Sequence, residues 1–137
     1  MIAAVRRKQR DEAATLGVDQ VIATDNPTEF TDLQPVDAIA DNVGFTLAET
    51  LMSKVKDGGV FASVLGAPAN AKEFPKVKVV SVVNRPDPSA LLSMADAVKA
   101  GKLKVAISGR FPLSEAAAAH AVAESGASGK TLLVVNP

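Results

Sequence analysis

Few side chains in this chain of 137 residues are equipped for chemistry, and their types exclude more than they offer. There is no cysteine and a single histidine, His120. No thiolate nucleophile, disulfide or multi-histidine metal site can be built from that set. His120 sits in an alanine-rich stretch with Glu124 four residues on, and it reads as a contact on a helix surface rather than a general base. Ser63, Ser81 and Ser108 lack a second histidine with which to form a triad, and the scattered aspartates show no ligand spacing. No catalytic residue and no metal ligand is expected. What remains is anion chemistry. Arg6, Arg7 and Lys8 follow directly on a short apolar run, at the strand end where doubly wound folds read the adenosine ribose. An acid there favours NAD and a base pairs with the 2′-phosphate of NADP, so three bases and no acid point to NADPH. The same cluster also reads as the solvated, basic start of a helix, and both readings stay open.

Elements must hold these residues in place, and the chain alternates between two periodicities. Strand-length apolar runs occupy residues 1–5, 20–23, 37–40, 60–65, 77–83, 103–108 and 132–135. Helical composition or spacing covers residues 10–16, closed by Gly17, and residues 45–55, stopped by Asp57-Gly58-Gly59. A further helix is opened by Asp87-Pro88-Ser89 and closed by Gly101, and another runs over 114–124 with Ser114 as its cap. Residues 24–35 carry two prolines and read as too broken for a long helix. Runs rich in Val, Ile and Ala without strict alternation, separated by helices, predict an α/β fold with a mainly parallel, doubly wound sheet.

Composition narrows the function classes. Apolar residues make up 47% of the chain and charged residues 22%, which suits one globular domain and not a disordered tail. Fifteen basic and fifteen acidic residues leave a net charge of zero, so nothing draws the chain to nucleic acid or an anionic membrane. No apolar run approaches the roughly 20 residues that span a bilayer, and the start lacks the layout of a signal peptide. The expectation is a cytoplasmic protein.

Eight segments then stand in one order: Val5-Arg6-Arg7-Lys8; Ala14-Thr15-Leu16-Gly17-Val18-Asp19-Gln20-Val21-Ile22; Asp37-Ala38-Ile39-Ala40-Asp41-Asn42-Val43-Gly44; and Val55-Lys56-Asp57-Gly58-Gly59. After them come Val64-Leu65-Gly66, Gly101-Lys102-Leu103, Pro112-Leu113-Ser114-Glu115-Ala116-Ala117 with Ala119-His120, and Gly129-Lys130-Thr131-Leu132-Leu133-Val134. Together they resemble the C-terminal portion of the medium-chain dehydrogenase/reductase superfamily, closest to its zinc-independent quinone oxidoreductase-like members. The resemblance covers nearly the whole chain. It implies an incomplete Rossmann-like sheet that lacks its first strand, because the sequence has no G-x-G-x-x-G turn and starts at what resembles the second strand. Also missing is the family's N-terminal catalytic domain. On this reading residues 1–137 form a single domain, with 1–102 a partial dinucleotide-binding domain and 103–137 a segment that packs on the catalytic domain in full-length relatives.

The resemblance also implies roles. Asn42, Val43 and Gly44 would pass near the nicotinamide half of the cofactor, and Leu65 and Gly66 would belong to a loop that bonds its amide through backbone groups. The plainer alternatives are a strand-to-helix turn in which Asp41 or Asn42 caps the next helix, and a glycine turn after a buried strand. The implied activity is that of the nucleotide-binding part of an NADPH-dependent quinone or alkenal oxidoreductase, inactive alone, with NADPH binding weak or lost and no metal. The alternative is a non-catalytic homodimeric interaction module on the same scaffold. The run from Val77 to Val83 resembles an edge strand that joins two subunits, so a homodimer is expected across it. The place of the missing strand is expected to close, either by direct pairing of residues 2–5 with 37–40 or by a second copy of the chain.

Overall fold

Apolar runs separated by caps and glycines fold into the expected alternation. The computed structural model describes residues 1–135, and among them seven strands and five α-helices follow one another. They are β1 (Ile2–Val5), α1 (Arg10–Ala14), β2 (Gln20–Ala23), α2 (Pro27–Asp32), β3 (Val36–Asp41), α3 (Phe45–Met52), β4 (Val55–Ser63), β5 (Lys78–Ser81), α4 (Pro88–Lys99), β6 (Ile107–Pro112), α5 (Ala116–Glu124) and β7 (Lys130–Val134). Every strand pairing is parallel, in line with the α/β expectation. Residues 24–35 hold only the six-residue α2, in line with a stretch too broken for a long helix, and Pro35 lies beyond its end. Pro27 takes the first helical position of α2, where no amide donor is needed, and the Asn26 side chain accepts from the Thr28 amide. Asp87 caps α4 in the same way, accepting from the amides of Ser89 and Ala90.

Three local expectations are corrected. Asp57, Gly58 and Gly59 do not precede the next strand but lie inside β4, whose register against β3 jumps from Val36↔Val55 to Ala38↔Val60. Glycine is needed there because a Cβ on Gly59 would stand 2.7 Å from the Asp37 carbonyl oxygen. Residues 103–106 form no strand. Gly129, at φ 94°, packs against the Ala106 carbonyl and Lys130 donates to it, so regular pairing with β7 begins only at Ile107. Ser114 is not a cap but sits within a 3₁₀ turn, Leu113–Glu115, that leads into α5.

The strands form three sheets, β1–β2, β3–β4–β5 and β6–β7. The expected direct pairing of β1 with β3 is not formed. Side-chain packing joins the first two sheets instead: Ile22 of β2 and Phe30 and Leu33 of the α2 segment share one core with Ala48, Leu51 and Met52 of α3 and Phe61 of β4. That core satisfies the apolar faces through the helix layer and leaves β1 and β3 each with a single strand neighbour among the described residues.

The chain divides into two compact units, one of Met1–Arg85 and one from Pro86 onward. In the second, α5 packs on β6 and β7, Ala119 is buried, and the hydroxyls of Ser108 and Thr131 meet across the strand pair at 2.9 Å.

Candidate functional site

The first unit gathers its polar chemistry at the C-terminal ends of its parallel strands, the edge where open α/β sheets bind ligands. Register places Asp41, the last residue of β3, beside Ser63, the last of β4. Both are buried, at 5% and 1% exposure. One Asp41 oxygen accepts from the Ser63 hydroxyl at 2.6 Å, and the other accepts from the amides of Val43 (3.0 Å) and Gly44 (2.9 Å). Ser63 Oγ in turn accepts from the Leu65 amide at 3.1 Å. Burial is the strongest single influence on the Asp41 carboxyl and opposes its ionisation. The bonds from Gly44, Ser63 and Val43 together outweigh it and hold the group below its ordinary value.

One carboxylate therefore shapes two loops. Gly44 has φ 74° and ψ −159°, a conformation close to glycine-only, and a Cβ there would stand 2.6 Å from Leu65 Cδ1. The loops touch at that point. Phe45 follows at φ 54°, the only non-glycine residue with positive φ among the described residues, and its ring is 82% exposed. Strain of this kind in a bulky residue is uncommon and concentrates at ligand-binding loops.

Arg6, Arg7 and Lys8 occupy the turn after β1, and Arg7–Gln9 is a short 3₁₀ turn. The Arg6 carbonyl accepts from the Gln9 amide at 2.8 Å, and the Arg7 amide donates to Asp25 at 2.8 Å. Asp25 lies beyond β2, and its carboxyl is held below the ordinary range first by that Arg7 amide, against the opposing cost of desolvation, then by its own backbone amide and least by the charges of Arg7 and Arg6. Close by, Glu29 of α2 pairs with Arg10 and accepts from the Ala23 amide and the Asn26 side chain, both at 2.8 Å. A groove of about 610 Å³ opens between α2 and α3, with Thr24, Phe30, Thr46 and Leu47 in its walls. None of the expected cofactor-binding residues lines it.

The structure thus brings Asn42, Val43 and Gly44 together with Leu65 and Gly66, while Arg6 and Arg7 are tied to Asp25 and Gln9. The sequence offered Asp41 as the start of the loop after a strand or as a helix cap, and Ser63 only as a triad member, while Asp25 carried no signal of its own. A polar residue at the end of each of two adjacent strands was the available signal. His120 is exposed on α5, and no group of three or more His, Cys, Asp or Glu among the described residues could hold a metal.

Residues 16–133 match a family described as zinc-binding dehydrogenase. Among solved structures, the chain is similar to the quinone oxidoreductase from Coxiella burnetii, with a TM-score of 0.80 and 24% identity over 98% of this chain and 44% of that one. An NAD-dependent alcohol dehydrogenase gives 0.79 and 21% over 98% of this chain and 43% of that one. A mycobacterial protein solved in complex with NADPH gives 0.67 and 20%, over 97% and 48%. These likenesses establish a shared fold, and the chain spans less than half the length of each of these proteins. No curated protein is similar enough in sequence to count as a relative.

Proposed function

The chain belongs to the zinc-binding dehydrogenase family, and we propose that it is the nucleotide-binding part of an NADPH-dependent quinone or alkenal oxidoreductase, inactive alone. The observation that carries this reading is the Asp41–Ser63 pair, which holds residues 42–44 and 65–66 against each other at the ligand-binding edge of the sheet. Gly44 allows close backbone approach to a nicotinamide ring, the amides and carbonyls around Leu65 and Gly66 would bond its carboxamide, and Arg6, Arg7 and Lys8 would take the 2′-phosphate. A bound nicotinamide cofactor supplies the hydride, and the protein's part is to orient it and exclude water. No residue of the chain is assigned a catalytic role. The zinc in the family's description does not fit these residues, since the chain has no cysteine and its one histidine has no acidic cluster around it among the described residues.

The test is a titration of the chain with NADPH and with NADH, followed through the backbone amide signals. Saturable shifts at Val43, Gly44, Leu65 and Gly66, with NADPH preferred and the preference lost in Arg6→Gln/Arg7→Gln, support the reading. A folded chain that shows no saturable shift with either nucleotide favours the alternative, a non-catalytic homodimeric module. That alternative draws on β5, an edge strand followed by Val82 and Val83 at 42% and 73% exposure. A homodimer across Val77–Val83, residence in the cytoplasm and a separate N-terminal catalytic domain all belong to this proposal.

A further inference from the structure

We propose that Asp25 is an internal anion that competes with a phosphate monoester for the cationic turn after β1, so that its charge limits how tightly this turn holds phosphate. The inference rests on the assignment of Arg6 and Arg7 to phosphate binding made above. Asp25 receives a backbone hydrogen bond from the Arg7 amide at 2.8 Å and lies in the field of the Arg7 and Arg6 guanidiniums. A bound phosphate monoester would draw on the same surroundings, a backbone donor at hydrogen-bond distance and two delocalised cations nearby. Asp25 and the ligand therefore present charge of the same sign to the same turn.

The fold does not rest on this carboxylate alone. The turns after β1 and β2 are held together by the Thr24 amide donating to the Val5 carbonyl at 2.7 Å, and by Glu29. Glu29 pairs with Arg10 and also accepts from the Ala23 amide and Asn26. Glu29 is the acid that builds the segment, and Asp25, exposed one residue before Asn26, is the acid placed against the cations. Two acids so close in sequence have separate tasks.

Asp25→Asn tests the assignment, because asparagine keeps a carbonyl oxygen for the Arg7 amide while deleting the charge. Adenosine 2′-phosphate, inorganic phosphate and unphosphorylated adenosine are titrated into the wild-type chain and the variant by calorimetry, with two-dimensional amide spectra to confirm the fold. Removing one negative charge at contact distance near the surface should tighten phosphate binding by about five- to tenfold at low salt, with the gain shrinking as salt rises. Adenosine binding should not change, and Arg7→Gln on the variant background should erase the gain. A gain for adenosine 2′-phosphate and inorganic phosphate alike keeps Asp25 as the competing anion and counts against the nucleotide reading of the turn. A gain confined to the nucleotide supports both. Equal or weaker phosphate binding in Asp25→Asn, including none in either protein, overturns the proposal. Asp25→Ser serves as a second variant if the asparagine disturbs the spectrum.

Discussion

Asp41 stays ionised although nearly buried, because three donors are aimed at its two oxygens. Its ordinary value is 3.8 and its folded value is lower. The stability it contributes is therefore complete well above 3.8 and is lost as the pH falls below that value and through the folded one. Asp41→Asn should flatten part of the acid limb of a urea-denaturation series below about pH 4. The limb should not vanish, since the carboxyls of Asp25, Glu29 and Asp37 are also held low. At neutral pH the same variant should cost about 1–3 kcal/mol, because its amide cannot accept from all three donors. Gly44→Ala belongs to the same scale. It forces a side chain into a glycine-only conformation and against Leu65, so a loss of about 1–3 kcal/mol in urea unfolding is expected. Nucleotide-induced shifts at Leu65 should weaken with it. An alanine variant as stable as the wild type would mean that the two loops are free to part.

At the scale of elements, edges and caps decide behaviour. β5 has β4 as its only strand neighbour among the described residues, and an edge rich in valine is a template for pairing with another chain. Val80→Lys/Val82→Lys should therefore convert a dimer to a monomer in light scattering while the far-ultraviolet spectrum stays unchanged. An unaltered mass in a folded variant would place the interface elsewhere. α4 depends on its cap more than on burial. None of its residues is buried, and Asp87 satisfies two amides of its first turn. Asp87→Ala should cost about 1 kcal/mol, read as a fall in the helical signal on thermal unfolding.

At the scale of the whole sequence, residues 1–137 contain no G-x-G-x-x-G turn, and on the proposed reading this limits how tightly these residues by themselves hold a dinucleotide. In a complete dinucleotide fold that turn and the helix behind it supply backbone donors to the pyrophosphate, each charge-assisted bond contributing roughly 1.5–3 kcal/mol. On the proposed reading residues 1–137 meet the two ends of the cofactor and not its pyrophosphate, so by themselves they should bind NADPH with a Kd above about 1 μM. Calorimetric binding tighter than that would show that the pyrophosphate finds donors elsewhere. Residues expected to pack on a catalytic domain remain open to solvent in the second unit: Leu103 is 44% exposed, Leu133 41% and Val135 70%.

Local patterns carried the α/β class, the parallel sense of the strands and the position of most elements, because they depend on contacts within a few residues. β2 covers residues 20–23 as its apolar run predicts, and Gly17 and Gly101 take positive φ at the helix ends where they were expected. The same patterns placed residues 42–44, residues 65–66 and the basic turn at strand ends. What joins these pieces lay out of reach. Asp41 and Ser63 are 22 residues apart and Arg7 and Asp25 are 18 apart, so their pairing exists only once parallel strands have set a register. The stopping of β4 at Ser63, the late start of β6 and the break between β2's sheet and β3's sheet were settled by close approaches and by a shared core. An apolar run encodes a preference for strand, but which edge it pairs with depends on side-chain packing between distant segments, and only the folded chain brings those together.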